Sequence, residues 1–294
     1  MLFTANLATP GAGTKTLTLT GSTAGTGEIA GIIRDNSGTN RTNIAKTGTG
    51  TWTISGTNTY TGTTTVTNGT LRINGDNSAA IGAISVSANA TLGGGGILGG
   101  NVTVAANGTI SPGNSLGALV LQSNVTINEN GILRSDLATT GPATPGNTGG
   151  FNSGFLDFDD TAVRTLSLND NVSSGIFTIN LFDTNSSMGA GTYTVTLARL
   201  NASGTNDGVL LDRTSVVTAG STIDPLHYSV NQSNFGAGIN IVSSSLNYVN
   251  AGSSNLLQLT FTTTPEPHHL LLVCSAVLAF GLLIRRRLRL AQAI

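Results

Sequence analysis

The densest group of charged side chains in the body of the chain lies in the segment LDFDDTAVR. It places three carboxylates, Asp157, Asp159 and Asp160, at spacings i, i+2 and i+3, and Arg164 follows. Carboxylate oxygens at such spacings can bind Ca²⁺. The EF-hand pattern is not met, however, and no glycine-rich calcium-binding repeat is present. We therefore expect a solvated turn, or an ion pair with Arg164, in preference to a calcium site.

A second set of charged residues could do chemistry only if folding brought its members together. Enzymes that act on polysaccharides use paired carboxylates, or Lys and Arg side chains with Ca²⁺, aligned on one face. The candidates in the first half of the chain are Lys46, Arg72, Asp76, Glu129, Arg134 and Asp136. They are scattered in sequence, although stacked repeats could juxtapose residues about 20 apart. We predict no catalytic site and no cofactor, and an enzyme or carbohydrate-binding module remains the alternative.

The histidines and aromatic residues add no further site. His227 stands alone, and His268 and His269 lie near the C-terminus, so no histidine triad or metal cluster can be assembled. Trp52 and Tyr60 could stack on sugars, but we expect them to pack within the fold.

The composition indicates that β-strands must position all of these residues. Only 9% of residues are charged, 39 are Gly, and Thr, Ser and Asn fill most polar positions. Thr and Val favour strands, and Gly, Asn and Ser favour turns. A net charge of −1 gives no electrostatic basis for nucleic-acid binding, so we expect no nucleic-acid partner. The lone Cys274 excludes an intrachain disulfide.

A repeat of about 20 residues runs through the first half of the chain. The segments VTNGTLRI, VSANATLG, VAANGTIS and INENGILR begin with β-branched residues at 66, 86, 104 and 127. An asparagine follows in phase in each segment, at 68, 89, 107 and 130. This pattern predicts a solenoid in which each coil holds two or three short strands and Gly or Asn forms the corners. A β-sandwich is the alternative.

Residues 46–75 carry a more specific resemblance. They contain a Lys-Thr-Gly-x-Gly-Thr opening, an Asn-Thr-Tyr-Thr-Gly centre and a Gly-Thr-Leu close, and together these resemble the autotransporter-associated β-strand repeat. The resemblance implies an all-β fold, a right-handed parallel β-helix, in a secreted or surface-exposed protein of a Gram-negative-type bacterium. It implies a scaffold rather than an activity. An autotransporter passenger is disfavoured, because a C-terminal barrel should follow and a single apolar segment ends the chain instead.

We predict four regions. Residues 1–137 form the β-helical repeat region, and the Gly/Pro/Thr-rich residues 138–154 form a break. Residues 155–264 form a β-rich C-terminal region, either as wider coils or as an antiparallel cap. Residues 265–294 form a tail.

The tail combines Pro265, Glu266 and Pro267 with an uncharged apolar segment at 270–284 and a basic cluster. The cluster consists of Arg285, Arg286, Arg287 and Arg289. As a helix the apolar segment spans about 22 Å, which is short for a permanent transmembrane helix. Arginines beside such a helix remain cytoplasmic, which places the body outside the cytoplasm.

The order of these three parts resembles the PEP-CTERM sorting signal. That resemblance implies recognition and cleavage near the prolines by an exosortase, a membrane protease. A plain membrane anchor is the alternative. Because no secretory signal is recognisable after Met1, we expect a longer parent sequence. We predict an exported structural or adhesin-like protein whose partners are the protease, the membrane and an extracellular polysaccharide or matrix.

Overall fold

A computed structural model shows an all-β solenoid with three faces. It describes residues 1–8, 10–22, 24–114, 116–139, 151–158, 165–168, 176–184, 191–201, 208–211, 215–217, 221–223, 228–233, 235, 239–250 and 254–265. No helix occurs within these ranges. The composition predicts that the body of the chain contains no helix, and the described residues confirm this prediction.

The strands of each face are parallel neighbours from successive coils, except near the C-terminal end. Among the described residues, face one comprises the strands Lys15–Leu19, Thr42–Lys46, Thr64–Val66, Ile84–Val86, Val102–Val104, Val125–Ile127, Thr165–Leu168, Gly208–Leu211 and Ser215–Val217. Face two comprises Leu2–Phe3, Thr26–Ile29, Thr51–Ile54, Gly69–Ile73, Ala90–Gly94, Thr109–Pro112, Ile132–Thr139, Phe177–Asp183 and Tyr228–Ser233. Face three comprises Asp76–Asn77, Ile97–Leu98, Gly117–Leu121, Phe151–Phe158, Gly191–Asn201, Ser221–Ile223, Ile239–Asn250 and Ser254–Pro265, and a separate pair, Leu7–Ala8 with Ile33–Arg34, precedes it.

The predicted repeat is confirmed residue by residue on face one. Val66 pairs with Val86, Val86 with Val104, and Val104 with Ile127, all in parallel register. These four side chains are buried, because alternate residues of a strand point to the same face and this face is turned into the solenoid. Parallel pairing at this spacing excludes the β-sandwich alternative for the repeat region.

Asparagines form one corner of the coils, as predicted. Asn89, Asn107 and Asn130 have φ angles of 62°, 59° and 58°, in the left-handed region that Asn tolerates better than other side chains. The Asn89 amide donates to the Asn107 carbonyl oxygen at 2.8 Å, and the Asn107 amide to that of Asn130 at 2.9 Å. In the coil before them Gly69, with φ of 65°, takes the left-handed conformation immediately after Asn68.

The parallel stack continues beyond the repeat region. Val125–Ile127 pairs with Thr165–Leu168, and Ile132–Leu137 pairs with Phe177–Asp183, so the coils widen while their register is kept. The ends of the predicted break at 138–154 are strand residues, and Leu137 to Thr139 pair antiparallel with Phe151 to Ser153.

An antiparallel hairpin covers the last coil on face three. Its strands, Ile239–Asn250 and Ser254–Pro265, pair with each other, and the second pairs antiparallel with Gly191–Asn201. The alternation seen in the sequence at Tyr193, Val195 and Leu197 places all three side chains in the core. Continuing coils and an antiparallel cover therefore occur one after the other in residues 155–264.

Candidate functional site

Lys46, the first residue of the 46–75 segment, is buried at the end of its face-one strand. Its Nζ donates to the Asn68 carbonyl oxygen at 2.9 Å and to that of Gly48. Burial lowers the pKa of the ammonium group. Lys46 thus ties together the corner backbone of two successive coils, and no surface chemistry is open to it.

Asn58 and Tyr60, from the centre of the segment, fill the opposite corner. The buried Asn58 side chain accepts the Ile33 amide at 2.8 Å and donates to the Asn77 side-chain oxygen at 2.7 Å, so it bridges three coils. The Tyr60 hydroxyl lies 2.8 Å from Thr64 Oγ1. Burial raises the pKa of Tyr60, and its bond to Thr64 opposes that rise. The packing role expected for Tyr60 is confirmed.

Trp52 is half-buried against the core and lies over Gly27 of the preceding coil. A Cβ atom on Gly27 would come within 2.7 Å of the indole ring, so only glycine allows this approach. The indole Nε1 donates to the Thr20 carbonyl oxygen at 2.9 Å, and the Phe3 ring stacks at 6.0 Å. Trp52 is therefore a packing residue rather than an open sugar platform.

Asp157 has an arginine partner, Arg199, which the sequence did not reveal. Arg199 lies beside Asp157 in register on face three and donates Nε to Asp157 Oδ1 at 2.7 Å, with a second bond from Nη2 to Oδ2. This two-pronged pair uses both carboxylate oxygens. Asp159, Asp160 and Arg164 lie outside the described residues, as does His227. Within the described ranges no group of three or more His, Cys, Asp or Glu could hold a metal ion.

Stacking does bring three of the scattered charged candidates together. Arg72, Arg134 and Asp136 line a small trough of 120 Å³ on face two. Gly93 and Ser111 occupy the same register position on the two coils between Arg72 and Arg134. The two arginines are therefore three strand spacings of ~4.8 Å apart, or about 14 Å. The trough floor is therefore formed by small side chains and bounded by cations.

Both cations of this trough already have partners. Arg134 Nε donates to Asp136 Oδ1 at 2.6 Å, and its guanidinium lies 4.3 Å from the centre of the Phe182 ring. Arg72 Nη1 donates to Asn114 Oδ1 at 2.9 Å. Asp136 is the one carboxylate among the lining residues, whereas glycoside hydrolysis ordinarily uses two. The arrangement stabilises the face and offers a shallow polar surface.

The other two carboxylates of that set lie elsewhere. Asp76 belongs to face three, where the Ser78 amide donates to it at 2.8 Å and hydrogen bonds from Ser78 lower its pKa. Glu129 lies just before the corner residue Asn130. The partner that the sequence did not reveal is Arg199, and only the register across the wide coils could have identified it.

The comparison with protein families singles out the segment described above. Residues 44–73 match the model of the passenger-associated-transport-repeat, and they span face-one and face-two strands of two successive coils. No curated protein is significantly similar to the chain. The match supports the resemblance to autotransporter-associated repeats, and together with the parallel all-β fold it fits an exported β-helical protein.

Of the tail, the structure describes Pro265 alone, as the last residue of the strand Ser254–Pro265. Glu266, Pro267, the apolar segment at 270–284 and the basic cluster lie outside the described residues. Up to Pro265, the described part of the chain contains no helix that is long and apolar enough to cross a membrane.

Proposed function

We propose that the protein is an exported structural or adhesin-like β-solenoid of the cell surface or extracellular space of a Gram-negative-type bacterium. The observation that carries this proposal is the match of residues 44–73 to a repeat associated with transported passengers, within a continuous parallel stack. We infer a right-handed coil from the same resemblance.

The surface of the stack suits a scaffold or adhesin. Thr65, Ser85, Thr103 and Thr126 lie in register on the outer side of face one and form a column of uncharged hydroxyl groups. Such a column offers hydrogen bonds to a polysaccharide or matrix without a net charge. The few ionic groups near it take part in cohesion of the coils, as Lys46 does.

We also propose that the protein is not an enzyme. The charged residues that stacking brings together on face two are engaged with each other or with neighbours, which supports a cohesive role. The test is incubation of the purified chain with a panel of polysaccharides, with and without Ca²⁺. Release of saccharides would overturn this part of the proposal and favour the polysaccharide-acting alternative.

The tail, in this proposal, is a PEP-CTERM sorting signal. Pro265 ends the strand Ser254–Pro265, and because proline resists helix and sheet we expect Pro267 to stop the pairing there and leave the segment around Glu266 open to a protease. The apolar segment holds the chain in the membrane, and the arginines at 285–287 fix its orientation. Exosortase is the expected protease, and the membrane-inserted form precedes the processed one.

The C-terminal mass of the protein recovered from cells tests this proposal. We expect a C-terminus near Pro267 in cells that contain an exosortase, and an intact Ile294 in cells that lack it. Glu266→Ala should block processing, whereas Gln292→Ala, beyond the basic cluster, should not. Intact chain in the membrane fraction of exosortase-containing cells would show a plain anchor instead.

A further inference from the structure

A larger cleft lies at the corner that leads from face three to face one. It has a volume of 570 Å³ and is lined by residues of three successive coils, including Arg34 and Arg41, Thr59 and Thr61, and Ile81. This volume lies within the range of roughly 300–1,000 Å³ that is typical of ligand sites. Neither the repeat match nor the proposed sorting accounts for it.

Two arginines give the cleft its charge. Arg34 and Arg41 are both exposed, and the side chain of neither forms a hydrogen bond or ion pair with any described residue. Their backbones are fixed, because the Arg34 carbonyl oxygen accepts the Thr42 hydroxyl at 2.9 Å and that of Arg41 accepts the Lys15 amide at 2.9 Å. In a chain of net charge −1 they form a local cationic site.

The acidic residue of the cleft does not neutralise these arginines by pairing with them. Asp35 Oδ1 accepts the Thr42 amide at 2.7 Å, and Oδ2 accepts the amide and hydroxyl of Thr61 at 3.0 and 2.6 Å. Asp35 thereby closes the base of the loop at 35–42 and fastens it to the next coil. These three neutral donors hold the Asp35 carboxylate away from the arginines without cancelling its charge, so two arginines and one aspartate give the cleft a formal charge of +1 and the guanidinium groups remain available to an anion.

The loop between the arginines is preorganised. The Asn36 amide donates to the Asn40 carbonyl oxygen at 3.1 Å, and Asn40 Nδ2 donates to Ser37 Oγ at 2.9 Å. The Gly13 amide donates to Asn40 Oδ1 at 2.6 Å, which attaches the loop to the preceding coil. A site that is already ordered loses less conformational entropy when a ligand binds.

The remaining lining favours a sugar as the carrier of the anionic group. The hydroxyl groups of Ser37 and Thr59 border the cleft and can exchange hydrogen bonds with sugar hydroxyls, and that of Thr61, which donates to Asp35, can still accept one. Ile81 is 65% exposed and offers an apolar surface to the C–H face of a sugar ring. Guanidinium groups bind carboxylates with matched, two-pronged geometry.

We propose that this corner cleft is a binding site for an acidic saccharide, whose carboxylate is held by Arg34 and Arg41 and whose ring lies over Ile81. The inference concerns binding alone and is independent of export and sorting, so it can fail or succeed without them.

The test is isothermal titration of the purified 294-residue chain, in mild detergent, with trigalacturonate. Its methyl ester is the matched ligand, since it has the same ring skeleton without the charge. We expect trigalacturonate to bind at least about tenfold more tightly than the ester in 50 mM salt, the low end for hydrogen bonds to charged groups. We expect that preference to shrink in 500 mM salt, because salt screens exposed charges. Equal binding of acid and ester would overturn the proposal.

Variants locate the site. Arg34→Gln and Arg41→Gln should each weaken trigalacturonate binding about tenfold, whereas Arg72→Gln, an exposed arginine on face two, should leave it unchanged. Ile81→Ser should weaken acid and ester alike. An equal loss in Arg72→Gln would show non-specific charge attraction, and inorganic phosphate binding as tightly as trigalacturonate would show a plain anion site. Either result would overturn the saccharide site.

Discussion

The asparagine corner provides the sharpest test of the solenoid. Asn107 has φ of 59°, and its side chain forms no hydrogen bond with any described residue, so its contribution there is conformational. Asn107→Ala keeps the backbone hydrogen bonds and changes only how readily the residue accepts a left-handed conformation. Asn107→Gly removes that restriction altogether.

The expected magnitudes follow from the backbone. An alanine in the left-handed region costs about 1–2 kcal/mol, of which Asn107 already bears a part, so we expect Asn107→Ala to lower the free energy of unfolding by about 1 kcal/mol. Asn107→Gly should change it by less than about 0.5 kcal/mol. At Thr103, an exposed strand residue of the same coil, the order should reverse, with Ala more stable than Gly by about 0.5–1 kcal/mol.

Guanidinium unfolding of the four variants, followed by circular dichroism, measures these differences. On heating, each kcal/mol should shift the midpoint by roughly 1.5–2 °C, because the unfolding entropy of about 2.1 cal/mol/K per residue is summed over 294 residues. The decisive quantity is the sign of the Gly–Ala difference at the two positions. If Ala is as stable as Gly at Asn107, the left-handed corner does not limit stability and the reasoning is refuted.

Three further predictions concern the segment at 44–73 and its neighbour. Lys46→Met should lower the free energy of unfolding by about 2 kcal/mol in urea titrations, because the Gly48 and Asn68 carbonyl groups lose their charged donor. Unchanged stability would show that desolvation of the buried ammonium cancels these bonds. Burial raises the pKa of Tyr60 in the folded state, so the protonated tyrosine contributes its full stability below the usual tyrosine pKa. That contribution is lost as the pH rises from the usual pKa through the raised one. Tyr60→Phe should cost about 1 kcal/mol at pH 8 through loss of the Thr64 bond and should show a smaller alkaline loss, whereas parallel stability curves for both proteins between pH 8 and 11 would contradict this. Gly27→Ala should displace the indole of Trp52, the single tryptophan, and shift its fluorescence to longer wavelength; an unchanged spectrum would mean that the ring does not rest on this glycine.

The repeat region could be predicted from the sequence because its signals are local. β-Branched residues at 66, 86, 104 and 127 recur with an asparagine two to three residues later, and each asparagine reports a corner by its own conformational preference. The one departure is instructive. At 68–69 a glycine follows the asparagine, and the left-handed conformation moves to Gly69, which adopts it without steric cost.

The C-terminal half was less predictable because its pairing partners are distant. Alternation at Tyr193, Val195 and Leu197 predicts a strand and its buried face, but it is the same for parallel and antiparallel neighbours. One neighbour is the strand Ser254–Pro265, some 60 residues away and antiparallel, and the other is Phe151–Phe158, about 40 residues away and parallel. The Asp157–Arg199 pair was missed for the same reason, since the coils there are about twice as long as the repeat.

The charged trough on face two could be predicted only in part. Arg72 and Arg134 belong to coils whose register the asparagine phase defines, so their common face follows from counting. The contacts of Arg134 with Asp136 and Phe182 could not be predicted by this counting, because Phe182 comes from a wide coil.

The parallel stack also determines the height that the solenoid gains per residue, and this height is small. On face one, seven steps separate Lys15–Leu19 from Gly208–Leu211, or about 34 Å at the strand spacing of ~4.8 Å. A coil of the repeat therefore adds roughly 0.25 Å of height per residue, whereas an extended chain adds about 3.3 Å. Per residue, the fold therefore spans less than about a tenth of the distance that an extended chain spans. What the fold multiplies is side-wall area, because duplicating a coil would add one strand to each face while lengthening the stack by only ~4.8 Å.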